Sequence, residues 1–126
     1  MLASALADDG PDGDRARARL LADPSLHAPH LVDLEVVAVL RRRSAAGDLS
    51  ERRADLALRD LEDLPLVRYP HLPFARRAWE LRHNLTSYDA AYVALAEILG
   101  CALLTADRRM ANAAGIGCRV EVLTVR

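Results

Sequence analysis

The sequence predicts an α/β sandwich, with helices packed on a mostly parallel sheet. Three observations carry that expectation. Short apolar, strand-like runs alternate with stretches of helical period. The chain has 126 residues and is 52% hydrophobic, which suits one domain, residues 1–126, with a buried core. Aromatic residues make up only 4%, so that core must be Ala, Leu and Val.

The elements follow in order. Residues 1–7, MLASALA, are apolar and helix-prone, and ADDGPDGD (7–14) is a turn with Gly and Pro among acids. A helix is expected over about 14–23 with its arginines outward. LHAPH (26–30) reads as a short strand stopped by Pro29. The next helix runs from Leu31 to about Ala46, closed by Gly47. Ser50 can N-cap the helix after it, where Ala54, Ala57, Leu58, Leu61 and Leu64 form one apolar stripe. PLVRYP (65–70) reads as a strand between prolines. Pro73 suits a helix start, with Phe74, Ala78, Leu81 and Leu85 on its buried face. An apolar helix over TSYDAAYVALAE ends at Gly100. A strand at 102–106, a helix over about 108–114 and a last strand, RVEVLTV (119–125), complete four strands in all. No repeat, low-complexity tract or linker divides the chain.

Charge and composition exclude several classes. The formal net charge is -1, so no global field points to nucleic acid or a membrane. All 17 basic residues are arginine, so any phosphate contact must be an arginine contact. Without lysine a P-loop cannot form, and receiver domains and haloacid-type phosphatases are disfavoured. Cys101 and Cys118 are too few for a disulfide framework. They read as small buried hydrophobes and point to a reducing, cytoplasmic setting. No signal peptide or membrane span is visible.

Three acids sit where a solvated charge is not expected. Glu35 lies in the apolar helix LVDLEVVAVL, with Leu31, Val32, Ala38 and Val39 one turn away on either side. Asp89 lies in the first turn of SYDAAYVALAE, and Asp107 ends the run ALLTAD. Each has a plain structural alternative. Glu35 can be a buried carboxylate paired with arginine, and Asp89 can cap locally with Thr86. Asp107 can simply N-cap the helix that follows it. Asp33 is a weaker candidate than Glu35, because a first-turn acid already complements the helix dipole. Yet Asp107 follows a strand of a parallel sheet, and ligands gather at the carboxyl ends of such strands. Three carboxylates on separate elements, without cysteine or histidine, suit Mg²⁺ or Mn²⁺ rather than Zn²⁺. Such a metal activates water and steadies charge on a phosphodiester.

Other polar residues carry weaker signals. Arg41, Arg42 and Arg43 close a helix, where positive charge is favourable in itself. Arg108 and Arg109 either hold RNA phosphates beside Asp107 or lie exposed on the next helical turn. His27 and His30 fall on opposite faces of a short strand, a structural placement. Phe74 and Trp79 are expected as core or interface anchors.

The pattern resembles the PIN-domain ribonucleases, and most closely the VapC toxins of bacterial toxin–antitoxin pairs. The residues that carry the resemblance are Glu35 in LVDLEVVAVL, Asp89 in SYDAAYVALAEILG and Asp107 in LLTADRRMANAAG. The resemblance spans essentially the whole chain. It implies a PIN-like three-layer sandwich and an endoribonuclease dependent on Mg²⁺ or Mn²⁺. By the same resemblance, Asp89 is a metal ligand, Asp107 a ligand or its orienter, and Glu35 a ligand or an activator of the attacking water. Thr105 is a weaker candidate for a hydrogen bond within the cluster. A homodimer and a cognate antitoxin protein are implied partners, with RNA the substrate and no membrane.

One departure stands out. The family opens with a strand bearing an Asp-x-Ser aspartate, and this chain opens at MLASALADDG, which resembles the helix after that strand. Asp8, Asp9, Asp12 and Asp14 are poor substitutes, because a ligand must face the others. An absent inner strand would expose unpaired backbone groups. The expectation is that the coding sequence begins upstream of Met1. A catalytically impaired PIN-domain binding module, or another metal-dependent phosphoesterase, are the alternatives to a working ribonuclease.

Overall fold

The computed structural model describes residues 11–123 apart from residue 24, and the side chains of residues 11 and 12 are left aside. The helix-prone start and the acids Asp8, Asp9 and Asp12 therefore lie outside the described side chains. Among the described residues there are five helices, four strands and two 3-10 turns. In order these are α1 (Pro11–Leu21), β1 (Leu26–Pro29), α2 (Leu31–Ala45), α3 (Glu51–Asp63) and β2 (Leu66–Tyr69). A 3-10 turn (Leu72–Phe74) then leads into α4 (Ala75–Glu80), α5 (Ser87–Leu99) and β3 (Leu103–Thr105), and a second (Arg108–Asn112) precedes β4 (Val120–Val122). The α/β class is as expected, and the strands are parallel. They form two pairs, β1–β2 and β3–β4, rather than one continuous sheet among the described residues.

Contacts divide the chain into two compact units. The first takes in α1 and Leu31–Val67, the second Ala28–His30 and the chain from Arg68 onward. In the first, α2 and α3 bury Val36, Leu40, Leu49, Ala57 and Leu61 against one another, with Val39, Ala54 and Leu58 packed around them. Ser50 caps α3 as its sequence suggests, its hydroxyl accepting from Arg53 N–H at 3.2 Å. Gly47 takes φ of 83°, the left-handed conformation that lets the chain leave α2. Asp14 is exposed on α1 and pairs with Arg17 of its own helix.

The second unit is built on α5. Ala90, Ala91, Val93, Ala94, Leu95 and Ala96 are all buried, so nearly every side of this helix meets other residues. Small side chains allow that close approach. Leu81, Leu103 and Met110 complete the cluster, joined by Ala78, Leu85, Ile116 and Val120 at its margin. Thr86 caps the start of α5, its Oγ1 accepting from Asp89 N–H at 3.1 Å. Gly100 closes the helix in the left-handed conformation. β3 pairs in parallel with β4, Leu103 opposite Val120 and Thr105 opposite Val122.

Several expectations need correction. The helix expected to run from Pro73 through Leu85 ends at Glu80, and residues 81–85 turn tightly to reach the α5 cap. Leu81 is nonetheless buried, because the turn tucks it beneath α5. The helix after Asp107 is a short 3-10 turn, since Ala113 already takes an extended conformation. Cys101 is exposed rather than buried, lying just beyond the Gly100 cap where the chain leaves α5. Cys118 is half-buried, and burial pushes its thiol above the ordinary value. Phe74 is a core anchor, but Trp79 is 67% exposed.

One polar clamp ties the second unit together. Arg77 of α4 meets Glu97 of α5 through two bonds, Nε to Oε1 at 2.8 Å and a terminal nitrogen to Oε2 at 3.0 Å. The same guanidinium donates to the Gly115 carbonyl at 2.7 Å. Gly117 N–H donates to Glu97 Oε2 at 2.6 Å, and Asn84 Nδ2 to the Ala114 carbonyl at 3.0 Å. The clamp therefore holds α4, α5 and the loop before β4 in one arrangement. Glu97 is 17% exposed and Arg77 32%, so water screens the pair only partly. The hydrogen bonds from Arg77 hold the Glu97 carboxyl below its usual range; burial opposes them, and the bond from Gly117 N–H adds a smaller lowering.

A depressed carboxyl pKa contributes stability above its unfolded value and loses it as pH falls through the folded one. Arg77→Leu is expected to cost about 2 kcal/mol at pH 7. The deficit relative to wild type should shrink below the ordinary Glu value of 4.5. Urea denaturation of both proteins at neutral and acid pH measures this, and an equal deficit at every pH would refute it. A Cβ on Gly117 would lie 2.6 Å from Glu97 Oε2, an oxygen that Arg77 keeps from moving aside. Gly117→Ala should cost on the order of 1–3 kcal/mol in the same measurement.

Candidate functional site

The site forms where α5 begins and β3 ends, two elements of the second unit that pack together. The cap at Thr86 sets the start of α5 and so places Asp89 in its first turn, half-buried. The return bond of a full capping box, from Thr86 N–H to the Asp89 carboxylate, is not formed among the described residues. Its carboxylate is thus not committed to the cap. At the end of β3, Thr105 Oγ1 accepts from Asp107 N–H at 3.0 Å, fixing the direction in which the chain leaves the strand.

Asp107 is engaged by Arg109. Its Oδ1 accepts from Arg109 backbone N–H at 2.9 Å and from Nε at 3.1 Å, and its Oδ2 from a terminal guanidinium nitrogen at 2.9 Å. The backbone bond is the N-cap that the sequence allows, and the side-chain fork is an addition to it. Arg109 is 91% exposed, so this fork is open to water and to exchange. The guanidinium, and then the backbone N–H, hold the Asp107 carboxyl below its ordinary value. Asp107 raises the Arg109 pKa in turn, and the Asp89 carboxylate adds to that effect. One positive group thus lies within electrostatic reach of both aspartates.

The structure brings Asp89, Asp107, Thr105 and Arg109 together and leaves Glu35 to be described separately. Glu35 belongs to the first unit and is exposed, not buried as its sequence neighbours suggest. The buried side of α2 is Leu31, Val32, Val36 and Leu40. At about 100° per residue Glu35 falls between Leu31 and Val32 around the helix, yet it is exposed. Arg108 and Arg109 are both exposed, and Arg109 is bonded to Asp107. His27 and His30 are both exposed; His27 Nε2 lies 3.0 Å from Ser25 Oγ, and His30 meets the ring of His71 edge-on.

The donor chemistry fits a hard divalent cation. Asp89 and Asp107 are carboxylates on separate elements, and oxygen donors are what such an ion takes. Their number is small: no group of three or more His, Cys, Asp and Glu gathers among the described residues.

A parallel-stranded α/β chain with acids at the start of one helix and the end of one strand defines a class of protein. The PIN domain model matches residues 2–116, and the chain belongs to the PIN-domain family. Its relatives are VapC ribonucleases. It is 42% identical to VapC ribonuclease Mb0985 of Mycobacterium bovis over 120 residues, covering 95% of this chain and 91% of the relative. With ribonuclease VapC1 of Mycobacterium tuberculosis it shares 46% identity over 105 residues, 82% of this chain and 79% of that one. With ribonuclease VapC12 of the same organism it shares 37% over 108 residues, 86% and 84% of the two chains.

The role of Arg109 has a direct test. Arg109→Ala is expected to raise the pKa of Asp107 toward the ordinary carboxylate value, while the backbone N–H keeps part of the shift. A carbon-13 NMR titration of the aspartate carboxyls reads this, and an unmoved Asp107 would mean that the fork does not persist in solution.

Proposed function

We propose that this chain is a metal-dependent endoribonuclease, the toxin of a toxin–antitoxin pair acting in the cytoplasm. The observation that carries this is a PIN domain whose relatives bear the name ribonuclease, with Asp89 in the first turn of α5 and Asp107 just beyond β3, two elements that pack together. No described helix is long and apolar enough to cross a membrane, which accords with that setting.

Asp89 and Asp107 would hold Mg²⁺ or Mn²⁺. Such an ion, when bound, lowers the pKa of water and stabilises charge on a phosphodiester. The protein's own part is positioning. Thr86 fixes the turn that bears Asp89, and Thr105 fixes the backbone that bears Asp107. Arg109, released from Asp107, is free to meet an RNA phosphate through its two-pronged donor face. A second copy of the chain and a small antitoxin protein complete the proposed assembly.

A second reading is a PIN-domain binding module that does not cleave. It is favoured by the gathering of only two acids among the described residues and by the Arg109 fork that covers one of them. Cleavage of RNA with Mg²⁺ or Mn²⁺ separates the two. The ribonuclease reading expects cleavage that a chelator stops and that Asp89→Asn lowers on the order of a hundredfold or more, since the ion contributes several kcal/mol to the transition state. RNA bound but never cut would support the binding module. Turnover of DNA or small phosphate esters without RNA cleavage would point to another phosphoesterase.

A further inference from the structure

Trp79 is the chain's one tryptophan, and it stands 67% exposed at the end of α4. It is not merely a loose apolar residue. The Arg82 guanidinium lies over the indole, 4.2 Å from its centroid. Arg82 is held there by a bond from a terminal nitrogen to the Trp79 carbonyl at 2.9 Å. The arginine is thereby stacked before any ligand arrives, and its side chain is itself exposed. Arg76, one turn earlier on the same helix, is exposed as well. The acid between them, Glu80, lies 3.7 Å from Arg77, and the arginines Arg76 and Arg82 flank the indole on either side.

A short connection joins the platform to the helix that bears Asp89. Trp79 is near the end of α4, Asp89 is in the first turn of α5, and α4 packs on α5. Ten residues separate the two, a span of at most about 35 Å, and the hydrogen-bonded turn at Leu81–Leu85 shortens it. A single strand that lies at Asp89 can therefore extend to Trp79.

A flat aromatic face backed by a fixed cation suits an unpaired base flanked by phosphates. A base stacks on an aromatic ring whatever its identity, and arginine adds both stacking and charge. A duplex offers no such face, because its bases are already stacked on one another. We propose that Trp79 and Arg82 form a base-stacking platform for single-stranded RNA beside the acidic site. The proposal rests on the ribonuclease reading for the nature of its ligand, and it adds a determinant that lies outside the acids.

The test uses the full chain carrying Asp89→Asn, so that RNA is not consumed. Because Trp79 is the one tryptophan, its fluorescence reports on the platform directly. Single-stranded oligoribonucleotides are expected to quench the emission in a saturable manner, and a duplex of equal length should do so weakly. By anisotropy of a labelled oligonucleotide, Trp79→Leu should lose about tenfold or more in affinity, Arg82→Ala should lose less, and Trp79→Phe should keep most of it. The exposure of Trp79 means these variants should fold, which circular dichroism checks. If wild type cleaves RNA while Trp79→Leu binds it unchanged, the platform is wrong and the ribonuclease reading stands. If RNA is neither bound nor cut, both fail together. Emission that responds to protein concentration but not to RNA would overturn the proposal and mark Trp79 as a protein contact.

Discussion

The arrangement of the second unit depends on one ion pair. Arg77 and Glu97 meet through a two-pronged contact, and each spends its remaining hydrogen-bonding capacity on the loop before β4. That loop delivers β4 to β3, and Asp107 lies two residues beyond the end of β3. The position of Asp107 is thus set partly by Glu97. Paired strands of three residues each have few ladder bonds, so a fixed loop between them matters more than it would in a wide sheet.

The sequence made much of this architecture legible, for identifiable reasons. Gly47, Ser50, Thr86 and Gly100 are termination and capping signals that act over three or four residues, and each does in the structure what its local chemistry demands. The four strands fall where short apolar runs fall. Less legible was anything set by tertiary contact. The helix through Leu85 ended early, because burying Leu81 and reaching the Thr86 cap both require a turn. The pairing of the strands into two separate sets is likewise a long-range outcome.

The acids show the same division. The placements of Asp89 in a first helical turn and of Asp107 past a strand were legible because a cap and a strand end are local features. Glu35 misled, since a helix that is apolar on many sides does not reveal which side is covered: Leu34 and Val37 on α2 are also exposed. The reasoning first applied to Glu35, that an acid in an apolar helix needs a partner, suits Glu97 better. AYVALAEILG places that acid near the end of a far more buried helix, and its partner lies twenty residues earlier at Arg77. No spacing rule links the two, so their pairing emerges only in the folded chain. Arg109 was noticed for its charge, but its attachment to Asp107 depends on the 3-10 geometry that brings the two together.

The Glu97 clamp has a consequence for genetics. A random mutagenesis screen scored only by loss of function would recover changes at Glu97 through lost stability alone. An investigator mapping acidic positions from such a screen would count Glu97 as part of the active centre. Steady-state protein abundance exposes the error, because a lesion in the clamp lowers the amount of folded chain several-fold.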